Sequence, residues 1–161
     1  MANYTYFVSS GQVQNVVRLE SQTMFVASGG TAGRITVSDK STLGVDGLAM
    51  QITVLDGGTL NVFRGKASPV TVSSGGRVFI SSGGETSGTA IKTGGTMYII
   101  NGKSIAPKID GGILNAGYSS GNLNAENAVV SGAVIKNGGK AYRIQCGVLC
   151  RKAQRRKECL R

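Results

Sequence analysis

Three acidic side chains, Glu20, Asp39 and Asp56, recur at nearly equal intervals and at similar places in their surrounding sequence. In a chain coiled with that period they would stack in a column, with neighbours one sheet spacing apart, near 4.8 Å. Two carboxyls about 5–5.5 Å apart can serve a retaining glycosidase, and stacked acids can hold calcium. The column continues as Ser74, Thr93, Asp110 and Asn137, however, and Asp or Asn before Gly is ordinary turn chemistry. No aromatic or arginine cluster surrounds these positions to orient a substrate, so a structural role is expected. A carbohydrate-binding or polysaccharide-degrading β-helix that uses Glu20, Asp39 and Asp56 is the alternative.

Other catalytic chemistries have less support. The chain contains no histidine, which removes Ser-His-Asp and Cys-His nucleophilic sites and the commonest metal ligand. No glycine run leads into Lys-Ser or Lys-Thr at phosphate-loop spacing, and Asp39 and Asp56 are not set in the Gly-Gly-x-Gly-x-Asp runs of calcium-binding nonapeptides. Cys146, Cys150 and Cys159 all fall near the C-terminus, a poor zinc set without histidine. The expectation is a non-enzymatic protein without cofactor or metal.

The elements that position these residues are set by a repeat. A small residue, an apolar residue, a variable one and a second apolar one begin at Thr5, Thr23, Thr42, Thr59 and Thr96, and a close variant begins at Arg77. A period near 18 with period-two apolar alternation predicts an all-β solenoid in which each unit is one turn stacked on the last. Crossover preference makes it a right-handed parallel β-helix. Each unit holds a short strand such as Leu60–Val62, a turn, a second strand such as Val70–Val72, and a second turn rich in Ser and Gly. Leu60, Val62, Val70, Val72, Val78, Ile80 and Ile91 share the inward parity. The stretch from Glu85 to Gly88 reads as loop. Lys108 stands where neighbours are apolar, so Ile109 is expected to shift into the core. Near Tyr118–Gly121 a half-length step predicts a protruding loop or extra half-turn. The threonines that open the repeats form a column of hydroxyls along the first sheet.

The formal net charge is +10, but its distribution argues against nucleic acid. Residues 140–161 hold eight basic side chains against one acid, Glu158, whereas the first 139 hold ten basic and seven acidic. The basic residues of the body are scattered through their repeats rather than lined up on one face. The reading is therefore a repeat domain over 1–145 and a basic, Cys-containing tail over 146–161, which is either a cap or sequence foreign to the repeats. No window is apolar for long enough to span a membrane, and the first twenty residues show no signal-peptide pattern.

The stretches Phe25–Thr31, Val72–Gly76 and Ile80–Gly84, each with a Ser-Gly-Gly turn, resemble the AIDA-type repeats of bacterial autotransporter adhesin passengers. The likeness covers roughly residues 5–145. It implies a secreted or cell-surface parallel β-helix, often a glycoprotein carrying heptose on turn serines. The implied acceptors are Ser28, Ser73, Ser74, Ser81 and Ser82, and the implied partners are a heptosyltransferase and a host or neighbouring cell surface. No translocator barrel is visible. The expected function is an extracellular scaffold or adhesin-like passenger segment. With a strand starting near Tyr4, end-to-end self-association is expected, because open strand edges recruit partners.

Overall fold

The structure, a computed structural model, describes residues 5–117 and 128–142. The regular structure there is entirely β, with no helix, and so with none long and apolar enough to cross a membrane. Eight parallel strands form a first sheet: Tyr6–Val8, Thr23–Val26, Thr42–Val45, Thr59–Val62, Arg77–Ile80, Thr96–Ile99, Ile113–Ala116 and Lys140–Tyr142. Thr23 pairs with Thr42, Thr42 with Thr59, Thr59 with Arg77 and Arg77 with Thr96, in the register the repeat predicts. Successive turns, each one repeat long, thus stack as a parallel β-solenoid.

The second sheet begins with four long strands, Val13–Glu20, Thr31–Ser38, Leu48–Val54 and Lys66–Val72. It continues as pairs of short strands, Glu85–Ser87 with Ala90–Lys92, Lys103–Ile105 with Lys108–Asp110, and Val129–Ser131 with Val134–Lys136. The stretch expected to be loop at Glu85 is therefore strand, with Glu85 opposite Lys66 and Thr86 opposite Ala67. It reads poorly as strand because its inward position is filled by small residues: Ala32, Ala49, Ala67, Thr86 and Ser104 are all fully buried. Thr86 Oγ1 donates to Ser104 Oγ at 3.2 Å, and the buried Thr89 Oγ1 has no partner among the described residues.

Every residue of the expected inward set from Leu60 to Ile91 is 0 % exposed. Each such side chain contributes about 1.5–3 kcal/mol through burial. Ile109 pairs directly with Ile91 without shifting; Lys108 stands on the outward column opposite Ala90. The shortening of this unit lies instead in its corners. After Gly117 the register resumes with Val130 opposite Ser104 and Ala141 opposite Leu114. The loop expected at Tyr118–Gly121 and the tail over 146–161 lie outside the described residues.

Two corners and a bend complete each turn. The first corner leads from the first sheet to the second and the second corner leads back. Midway along the second sheet, Ala32 and Ile35 both point inward, as do Ala49 and Ile52, and Ala67 and Val70. Spacing by three cannot keep a straight strand on one face, so the chain must bend between them. At the bend Val16, Arg34, Gln51, Gly88, Ala106 and Gly132 adopt positive φ, and Pro69 occupies the same place.

Candidate functional site

The corners carry the hydroxyls singled out by the sequence. In the turn Ser73–Gly76, Gly76 N–H donates to the Ser73 carbonyl at 3.0 Å and Gly75 has φ 74°, a type II turn that calls for glycine at its third position. Ala27–Gly30 closes likewise, with Gly29 at φ 77°. Ser81–Gly84 differs, since Ser82 and Gly83 both have positive φ, which makes it type I′. Ser28, Ser74 and Ser82 are exposed at the tips, whereas Ser73 and Ser81 are half-buried. Ser10 is an exposed counterpart of Ser28 that the sequence reading left out, although Ser-Gly at 10–11 lies one repeat before Ser-Gly at 28–29.

The exposed serines meet different neighbours. At the second corner three tip residues lie over the glycine of the next turn, Asp56 over Gly75, Ser74 over Gly94 and Thr93 over Gly111, while a Cβ at Gly138 would meet nothing within 4 Å. At the first corner Ser10 similarly covers Gly29, but Ser28 and Ser82 do not find such a neighbour. The connections after them are shorter. Four residues link the sheets at Ala27–Gly30 and Ser81–Gly84, but two do so at Asp46–Gly47 and three at Ile100–Gly102. The glycines of these short corners, Gly47 and Gly102, sit against the carbonyls of Gly30 and Gly84, so neither glycine lies beneath a serine side chain, although Gly83 N–H donates to the Asn101 carbonyl of the next turn at 2.6 Å. Among the described residues neither the Ser28 nor the Ser82 hydroxyl has a hydrogen-bond partner.

The short corner after Ser28 is held by charge. Arg64 donates from Nε to Asp46 Oδ1 at 3.3 Å, from its guanidinium NH2 to Oδ2 at 2.6 Å, and from its backbone N–H to Oδ1 at 3.3 Å. These bonds hold the Asp46 carboxyl below the usual carboxylate range, the side-chain hydrogen bond most, against an opposing effect of burial. Arg64-Gly65 lies in the turn that follows the Thr59–Val62 strand. The signal was present, since Asp46-Gly47 and Arg64-Gly65 lie one repeat apart and are opposite in charge.

The carboxylate column needs correction. Glu20 pairs with Ser38, one residue out of line with Asp39, and its Oε1 lies 2.6 Å from Arg18 Nε. Asp39 and Asp56 do occupy adjacent turns, with Asp39 N–H donating to the Asp56 carbonyl at 3.0 Å. Asp110 also leaves the column, because it stands opposite Lys92 and Lys136. The expected register failed because the second corner is a residue shorter at Glu20 and at Asp110 than at the turns between them. Among the described residues no three Asp, Glu or Cys side chains converge as a metal site would need.

The bend supplies a feature the sequence reading missed. A groove of about 530 Å³ is lined by Asn15, Gly33, Arg34, Met50, Gln51, Ser68 and Pro69. Asn15, Gly33, Met50 and Ser68 form one column across four turns. Arg34 and Gln51, at positive φ, stand beside this column. The odd spacing of buried residues around Arg34 and Gln51 was the available clue.

These features define a parallel β-solenoid with hydroxyl-bearing corners. Among solved structures the chain is similar to the crystal structure of a TibC-catalysed hyper-glycosylated fragment of TibA, with TM-score 0.48 and 20 % identity. The match covers 91 % of this chain and 74 % of that one. No family model and no curated protein matches the sequence.

Proposed function

We propose that the chain is a non-enzymatic, extracellular or cell-surface β-solenoid scaffold, an adhesin-like passenger segment whose exposed corner serines accept sugar. The observation that carries this reading is the overhang of Ser28 and Ser82 at the first corner. A transferase must bring a sugar donor to a hydroxyl without unfolding the ladder, and loop tips on a rigid framework allow that approach. Repetition then multiplies one acceptor geometry along a stiff rod. Ser74 is the third acceptor, exposed but packed on Gly94. Ser73 and Ser81, half-buried, rank below the tips. The resemblance to AIDA-type passengers makes the donor a heptose and the enzyme a heptosyltransferase, and supplies a host or neighbouring cell as the opposite surface.

End-to-end association belongs to the same proposal. Tyr6 continues the inward column of Met24 yet is 38 % exposed, and Ile135 continues that of Ile109 at 39 %. The test is intact mass after co-expression with a heptosyltransferase active on an AIDA-type passenger. Heptose-sized increments, absent with an inactive transferase, are expected. An unchanged mass alongside a modified control passenger would overturn the reading.

A further inference from the structure

We propose that the groove along the bend binds a linear polysaccharide carrying sparse carboxylate groups, with Arg34 as the anion contact. Four successive turns line the groove, so it runs along the rod for about 14 Å at the ordinary sheet spacing. An extended chain fits that shape better than a compact ligand. Gly33 omits a side chain between Asn15 and Met50, and Asn15 Oδ1 lies 2.8 Å from where its Cβ would stand. The Asn15 amide thus packs into the space that Gly33 leaves and forms part of the groove wall, a polar group of a kind that bonds sugar hydroxyls.

Arg34 and Gln51 have φ of 53° and 54°, a conformation side-chain-bearing residues rarely adopt. Gly88 and Gly132 occupy the equivalent place in later turns, so the fold can bend here with glycine. Val16 and Ala106 take the same conformation at this place without lining the groove, so it belongs to the bend; within the groove it is two long polar side chains, Arg34 and Gln51, that carry it. Arg34 is exposed, has no ion-pair partner among the described residues, and meets no acid in the groove.

The charge pattern selects the occupant. A planar guanidinium matches a carboxylate at two points. One arginine among neutral amides suits a chain with occasional acids, whereas a densely sulfated chain would require a row of cations. The site is separate from the corner serines and is to be tested on protein made without a transferase, so failure here leaves the sugar-acceptor reading standing.

The experiment is calorimetric titration with an oligogalacturonate methyl-esterified at most of its carboxyls (the acid form), its fully methyl-esterified form, and a heparin-derived oligosaccharide of matched length. The acid form should bind, and the ester should bind more weakly. Arg34→Gly should weaken acid binding about tenfold and Gln51→Gly about threefold, with the thermal midpoint unchanged or raised in both, because glycine relieves the strained φ. Binding by Arg34→Gly equal to the parent protein, no binding of the acid form at millimolar concentration, or tighter binding of the sulfated chain would each overturn the proposal.

Discussion

From Asp56 to Gly111 the second corner is a closed staircase, whereas the first corner is open after Ser28 and Ser82. At the second, Asp56, Ser74 and Thr93 each rest on a glycine of the following turn, so their side chains help pack the edge of the rod. At the first, Ser28 and Ser82 precede shortened connections and project past them. The motif Ser-Gly-Gly is common to Ser28, Ser74 and Ser82, but at the first corner the shortened next connection leaves no glycine beneath the hydroxyl, whereas at the second Thr93 keeps its contact with Gly111 even where the connection loses a residue. In a stacked repeat the surroundings of a residue are written one period further along the chain.

The largest expected effect comes from filling the staircase. A methyl group on Gly75 would collide with Asp56, whose backbone Cα is also close, whereas one on Gly83 would meet nothing within 4 Å. Both glycines have positive φ. Gly83→Ala should therefore cost about 1 kcal/mol for the backbone conformation alone, and Gly75→Ala about 2 kcal/mol or more. Urea midpoints compare them, and equal losses would break the distinction between the corners.

A smaller effect probes the interior where it faces the bend. Thr89 Oγ1 is buried without a partner among the described residues, directly after Gly88. Thr89→Val should stabilise the protein by about 1 kcal/mol by removing an unsatisfied hydroxyl. A loss of stability on thermal unfolding would mean that the hydroxyl has a partner.

The smallest effect concerns the ion pair at the open corner. Asp46 has a lower pKa folded than unfolded, chiefly through the hydrogen bond from Arg64. Its contribution is present above the unfolded value of about 4 and is lost as pH falls through the lower folded value. Arg64 is well exposed, which screens the pair and keeps the effect small. Asp46→Asn should flatten that part of the pH–stability curve below about pH 4. An unchanged acid limb would show that the pair does not hold the short corner.

The sequence made the solenoid legible because buried positions keep a strict parity. Leu60, Val62, Val78 and Ile80 announce both strand and register, since a slip of one residue would turn them all outward. The second sheet was less legible. Its inward residues around the bend are Ala67, Thr86 and Ser104, too small or polar to read as core, and the bend interrupts the alternation. The carboxylate column was misaligned for a related reason. Corners lengthen and shorten by a residue without disturbing the core, so Glu20 and Asp110 fall out of the line that counting gives them. Ser28 and Ser82 were recognisable as turn hydroxyls, but their overhang depends on Gly47 and Gly102, which belong to other repeats.

Site-resolved peptide mapping of the heptosyltransferase-modified protein tests the central claim most directly. Sugar should appear first on Ser28 and Ser82, later on Ser74, and least on Ser73, Ser81 and the strand residue Thr71. Modification confined to Thr71 or to the half-buried serines, with Ser28 and Ser82 unmodified, would contradict the assignment of the open corner as the acceptor surface.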